Sequence, residues 1–201
     1  HTWTTVMSSS STREVCYVSY TRDGLTGHGE GAAIPRYHES AQTAIRAVES
    51  VRPLLETADP REHAALLEAA FARLNGEYAG RSAIDGAILD WVGQKQGMPI
   101  YRYFGLDPSR APLTTMSIGI DTPEITRLKV REAEGFPILK VKVGLSTDEA
   151  TIAASQFQRP CFEIVAITAK HHRPVAQTLD RIGGYRHWHP CFAGQQFDRY
   201  R

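Results

Sequence analysis

Ile138-Leu139-Lys140-Val141-Lys142-Val143-Gly144 is the stretch whose reading decides the fold. A strand alternates its side chains between two faces. Lys140 and Lys142 therefore project together, while Leu139, Val141 and Val143 project the other way. Two settings suit such a strand. If the lysine face lines a closed, water-poor barrel, each ammonium disfavours the charge on the other, and one can serve as a general base. If that face meets solvent, the pair is the polar side of an amphipathic strand.

Working outward, a strand over Met116–Ile120 leads to a helix start at Thr122-Pro123-Glu124, and that helix is expected to end at Gly135. Beyond the lysine strand, Ser146-Thr147-Asp148-Glu149 reads as a capping box opening another helix. Strand, helix, strand, helix is the signature of parallel α/β architecture. Only two such units precede residue 151, whereas a full (β/α)₈ barrel has eight and typically about 250 residues. After about Thr151 the pattern dissolves, apart from a strand-like run at Phe162–Thr168.

The residues upstream follow different rules. Glu14–Tyr20 reads as a strand, Arg22-Asp23-Gly24 as a hairpin turn, and Leu25–Glu30 as the returning strand. Ser40 can cap a helix with Ala41, Ala44, Ile45 and Val48 on one face, which Pro53 should kink or end. Asp59, Pro60 and Glu62 form the start of a second helix, with Leu67, Ala70, Phe71 and Leu74 as its buried stripe and Gly76 after its end. A third helix is expected from a Ser82 cap through Ile84, Ala87, Ile88, Trp91 and Val92 to Gly97. Pro99–Phe104 reads as a helical turn and Gly105–Pro112 as a linker.

Composition excludes several classes. The 201 residues carry a formal net charge of +1, which suggests neither nucleic acid nor an anionic membrane as partner. No apolar run approaches the roughly 20 residues that span a bilayer. Cys16, Cys161 and Cys191 are three in number and show no Cys-x-x-Cys spacing. That usage fits a reducing compartment, so a cytoplasmic protein is the expectation. The first residue is His1 rather than Met, as expected of a sequence that starts inside a longer chain. Residues 151–201 hold seven Lys/Arg against three Asp/Glu and four of the eight histidines, a shift in composition from what precedes them.

The order of elements, together with Gly27-His28-Gly29-Glu30-Gly31, the run Ser82–Trp91, Gly97-Met98-Pro99-Ile100-Tyr101 and Leu139–Gly144, resembles the enolase superfamily. Within it the chain is most similar to dipeptide epimerases of the L-Ala-D/L-Glu type, in the muconate-lactonizing branch, over about residues 1–150. The resemblance implies an α+β capping domain over residues 1–110, followed by the first βα units of a TIM-type barrel at 111–150. The barrel is incomplete in this chain, and 151–201 form an atypical tail. It also implies a Mg²⁺-dependent epimerase or racemase that abstracts the proton α to a carboxylate through an enediolate. Lys142 would be the base on one face of the substrate and Lys140 its neighbour. Two capping loops, corresponding to Thr5–Ser10 and Ala32–His38, would set specificity. Arg36 and Tyr37 then become candidates to grip a substrate carboxylate or side chain, as an arginine fork can. Ser117, facing the same way as Gly119, is a candidate to touch the substrate. Glu30, Asp85 and Asp90 read as structural, Asp85 as the third residue of its helix.

The sequence also departs from that pattern. The family's metal ligands lie on the next three barrel strands, the first in an Asp-x-Asn motif, and residues 151–201 hold only Glu163, Asp180 and Asp198, without the expected neighbours. No metal ligand is assigned, and no second base. Three origins are open for the tail: an altered reading frame, a natural truncated relative, or a novel element. His187, His189 and Cys191 alternate as Zn²⁺ ligands could, although Pro190 interrupts them. The expected partners are a small carboxylate or dipeptide and further copies of the chain in a homo-oligomer. The rival readings are an inactive fragment of the family and a sister cycloisomerase or dehydratase.

Overall fold

The computed structural model describes residues 1–6, 8–158 and 163–167. Two short antiparallel strands open the chain, β1 (Trp3–Thr4) and β2 (Ser9–Ser10). The remaining elements fall into two compact units. One is Thr12–Ala111, and the other joins His1–Ser11 to the residues from Pro112 onward. The first eleven residues therefore group with the lysine strand.

In the first unit, β3 (Cys16–Arg22) and β4 (Leu25–Gly31) form an antiparallel hairpin. Asp23 and Gly24 both take positive φ at its turn, as a tight two-residue hairpin requires. Helices α1 (Ala41–Thr57), α2 (His63–Arg73), α3 (Tyr78–Gln96) and the short α4 (Ile100–Tyr103) follow. On β4, Gly27, Gly29 and Gly31 share the inward face. Each lies against one turn of α3, at Ala87, Ala83 and Ala79. Two strand residues advance about 6.7 Å and four helix residues about 6 Å, so a glycine every second position can meet an alanine every fourth. Bare backbone thus packs on bare backbone. Trp91 closes the row: it is 1% exposed and donates its indole N–H to the Arg22 carbonyl at 2.9 Å. Val51, Leu55, Leu66, Leu67, Ile84 and Ile88 complete this core.

Several sequence expectations need correction here. Pro53 does not end α1, which runs on to Thr57. Burial of Val51 and Leu55, on either side of the proline, holds the helix through it, against an intrinsic penalty of about 3 kcal/mol. Ser82 is not a cap: α3 begins four residues earlier, and the Ser82 hydroxyl donates to the Glu30 carbonyl at 3.1 Å. Asp85 accordingly lies two turns into α3, away from the dipole end, and burial pushes its carboxyl up. Asp59 does cap, accepting the Arg61 N–H, but it opens a 3₁₀ turn over Pro60–Glu62 before α2 starts. Ser40 caps α1 as expected, with Thr43 returning the bond in a capping box.

The second unit is a βαβαβ run: β5 (Thr115–Ile118), α5 (Pro123–Glu132), β6 (Ile138–Lys142), α6 (Asp148–Gln158) and β7 (Glu163–Ile167). All three strands are parallel, in the order β5-β6-β7. Helix α6, expected from the Ser146–Glu149 run, continues to Gln158, past the point near Thr151 where the sequence pattern dissolves. The burial of Ile152, Ala154 and Ser155 explains why the helix extends, and β7 lies within the strand expected at 162–168. Ile118, Leu139, Val141 and Val143 form one core with Val130 and Ala133 of the α5 segment and Ile152 of α6. The helices therefore cover the apolar face of the sheet. The rest of the tail, including His187, His189 and Cys191, lies outside the described residues.

Lys129 is a buried cation in this unit. Its ammonium donates to Asp121 Oδ2 at 2.9 Å and to the Thr2 carbonyl at 3.3 Å. Burial raises the Asp121 carboxyl, but the Lys129 ammonium and the Thr122 N–H outweigh it, leaving Asp121 below the ordinary carboxylate value. A depressed folded value stabilises the protein above the unfolded value, about pH 4. That contribution disappears as pH falls through the folded value. Thermal unfolding followed from about pH 7 to about pH 3 should show an acid-dependent loss that is smaller in Asp121→Asn, the remainder coming from other depressed carboxylates such as Asp59. Parallel pH profiles for the two proteins would remove Asp121 from the account.

Candidate active site

Parallel pairing places the lysines. Ser117 is the register partner of Lys140, and Lys142 stands two residues further along β6, opposite Ile167. Registered partners in a sheet point to the same side. Ser117, Lys140 and Lys142 therefore share the face away from α5 and α6, and all three are half-buried. Their neighbours Ile118, Leu139, Val141 and Val143 are at most 1% exposed. This asymmetry is that of a barrel wall, with the helices outside and the polar row inside. Lys142 ends its strand, at the carboxyl edge of the sheet. The same edge bears the reactive groups in barrels of this kind.

The amino-terminal hairpin joins the site from within the same unit. Its Thr4 carbonyl accepts the Ile120 N–H at 2.9 Å. A Cβ on Gly119 would meet Thr4 O at 3.1 Å and the Trp3 ring at 3.2 Å. The loop after Thr4 thus starts at the carboxyl end of β5, beside the residue that faces the same way as Ser117. Trp3, 41% exposed, was not identified from the sequence. Its position depends on a contact more than a hundred residues away, which no local pattern signals.

Arg36 and Tyr37 belong to the other unit and stand together in a single 3₁₀ turn, Pro35–Tyr37. Both are exposed, and the Tyr37 ring meets Tyr78 edge-on, with centroids 6.2 Å apart. The turn ends at His38, whose φ of +61° is left-handed. Next to it, Glu39 is 5% exposed, and its carboxylate accepts the Ala79 N–H at 3.0 Å. Sequence reasoning missed Glu39 as well, since nothing local distinguishes a buried glutamate from a surface one. Asp90 is structural, accepting the His28 N–H at 2.8 Å.

Magnesium takes hard oxygen ligands, carboxylates above all. Among the described residues no three of His, Cys, Asp and Glu converge on a common point. The described residues therefore do not by themselves fit a Mg²⁺ site, and the chemistry below is derived from the side chains alone. No helix among them is long and apolar enough to cross a membrane.

A cap of hairpin and helices, joined to a parallel βα sheet with Lys-x-Lys on its inner face, defines the class: an α+β capping domain followed by the first units of a TIM-type barrel. Residues 2–105 match the model for the mandelate racemase / muconate lactonizing enzyme N-terminal domain, and the chain belongs to that family, within the enolase superfamily. It is similar to an L-Ala-D/L-amino acid epimerase of Pedosphaera parvula, 38% identical over 165 residues, which are 80% of this chain and 47% of that protein. It is also similar to an L-Ala-D/L-Glu epimerase of Bacteroides thetaiotaomicron, 33% identical over 153 residues, 76% of this chain and 40% of the relative. Among solved structures, a dipeptide epimerase from Cytophaga hutchinsonii, complexed with Mg and the dipeptide D-Ala-L-Val, shares the fold. The TM-score is 0.76 at 19% identity, over 94% of this chain and 54% of that one. The chain spans about half the length of the curated relatives it matches.

Proposed function

We propose that this chain supplies the capping domain and the base-bearing strand of a Mg²⁺-dependent dipeptide epimerase. The observation that carries the reading is the shared face of Ser117, Lys140 and Lys142 at the sheet's carboxyl side, opposite the helix-packed core. The epimerase activity of the relatives at 38% and 33% identity supports it. In a dipeptide only the C-terminal residue has its α carbon next to a carboxylate, so that C–H is the acidic one. Lys142, deprotonated, takes this proton on Nζ, and the C–H electron pair passes into the carboxylate as the enediolate. A proton from water returns to the α carbon on the opposite face, where the enediolate electron pair re-forms the C–H bond and inverts the centre. Lys140 favours the neutral form of its neighbour by like-charge repulsion. Ser117 contacts the substrate from β5, and Arg36 and Tyr37 are the capping domain's candidates for a substrate carboxylate and side chain. The Mg²⁺ enters by family likeness, and its ligands are not among the described residues.

Solvent exchange tests the reaction directly. The protein is incubated in D₂O with Mg²⁺ and either L-Ala-L-Glu or L-Ala-L-Val. Deuterium should enter the α position of the C-terminal residue and nowhere else. No incorporation into either dipeptide would discard the enzyme reading in favour of a catalytically inactive member of the family.

A further inference from the structure

We propose that Glu39 is a positioning residue that fixes the Arg36–Tyr37 turn for substrate, through the first turn of α3. This rests on the substrate-contacting role proposed above for Arg36 and Tyr37.

The turn is held at both ends and on its flank. At one end, the Arg13 guanidinium donates to the Ala33 carbonyl at 2.5 Å. At the other, Glu39 is among the few buried charged side chains of the described residues. Its carboxylate crosses to α3 and accepts the Ala79 N–H. That N–H is one of the amides that the helix's own first turn leaves unpaired, and Glu77, at the N-cap position, provides no side-chain cap. Glu39 thus caps a helix forty residues further along the chain. A carboxylate at a helix N-terminus also complements the macrodipole. On the flank, Tyr37 meets Tyr78, and the Arg81 guanidinium lies 5.7 Å from the Tyr78 ring centroid. Arg81 is in turn anchored by the Leu74 and Phe71 carbonyls at 2.7 and 2.8 Å.

His38 is where this fixing matters. Its left-handed backbone is disfavoured for a residue with a Cβ, so the turn keeps its form only while its surroundings hold it. Ser40 and Thr43 lock the chain one residue beyond Glu39. Release of Glu39 would therefore free the turn without unravelling α1. Glu39 thus holds the chain just after the turn, and Tyr78 meets the exposed Tyr37 ring.

The test combines amide hydrogen exchange with kinetics on Glu39→Ala, Glu39→Gln and Tyr78→Ala. Glutamine keeps an acceptor oxygen at the same reach, and Tyr78 is 59% exposed, so both variants should fold even if Glu39→Ala does not. For Glu39→Ala the expected result is faster exchange at residues 33–38 and at Ala79, with KM for the dipeptide raised about tenfold and kcat changed less than about threefold. Tyr78→Ala should show the same split, smaller, and Glu39→Gln should stay near the parent protein in both readouts. A residue with only a structural role would lower stability and leave the KM-to-kcat split unmoved. Unchanged exchange at 33–38 in both Glu39→Ala and Tyr78→Ala, or in Tyr78→Ala alone if Glu39→Ala does not fold, overturns the proposal. If the parent protein turns over no dipeptide, the function reading falls, and this proposal, which rests on it, falls with it. In that case faster exchange at 33–38 would show only that Glu39 fixes the turn.

Discussion

Gly31→Ala is expected to remove about 3 kcal/mol or more of the capping unit's stability, enough to leave much of it unfolded. A Cβ at Gly31 would sit 1.8 Å from the Ala79 carbonyl oxygen and 2.6 Å from its carbon. Those atoms are helix backbone and cannot rotate away, so strand and helix would have to separate. Separation would also uncover the neighbouring contacts, because Gly29 and Gly27 stand at 2.0 and 2.1 Å from the next two carbonyls on the same measure. Gly76→Ala is the control. Nothing lies within 4 Å of its Cβ position, and its φ of +80° alone makes alanine unfavourable, by about 1–2 kcal/mol. Urea denaturation of the two variants distinguishes steric exclusion from backbone preference. Similar midpoints would show that the close approach of β4 to α3 is not what those glycines are for.

Lys142→Ala should slow α-proton exchange by about 10² to 10⁴-fold, the usual contribution of a positioned general base. The fold should survive, because the core side of β6 is Leu139 and Val141, followed by Val143 just past its end, and none of these is touched. Lys142→Arg is the sharper variant: it keeps the charge and much of the length, but a guanidinium does not give up its proton near neutrality. Both variants should therefore fail alike. Lys140→Ala should slow exchange less, by about tenfold, and shift the pH at which it sets in upward, since a like charge beside the base is lost. Isotope incorporation is read by mass spectrometry on the recovered dipeptide. Full activity in Lys142→Arg would mean that the ammonium acts as a fixed charge and that another group takes the proton.

The legible parts of the chain were those with local causes. Alternation placed Lys140 and Lys142 on one face, and the sheet put Ser117 beside them by register. Turn and cap residues located the Asp23-Gly24 hairpin turn and the starts at Ser40 and Thr122. Errors arose where tertiary contact outweighed local preference. Pro53 stays helical because its neighbours Val51 and Leu55 are buried. Ser82 looked like a cap, yet its hydroxyl serves a strand carbonyl fifty-two residues away. Glu39 and Trp3 escaped notice for the same reason, since each is defined by a partner remote in sequence.

The grouping of His1–Ser11 with the residues from Pro112 onward makes the capping unit an insertion between two parts of one sheet-bearing unit. During synthesis the inserted hundred residues can complete their hairpin and helices first, because the hairpin pairing and the core cluster beneath the helices are made within those residues. The opening hairpin must wait until Ile120 and Lys129 emerge before the Thr4 and Thr2 carbonyls have donors. Assembly is therefore asymmetric in time, with the start of the chain among the last segments to settle.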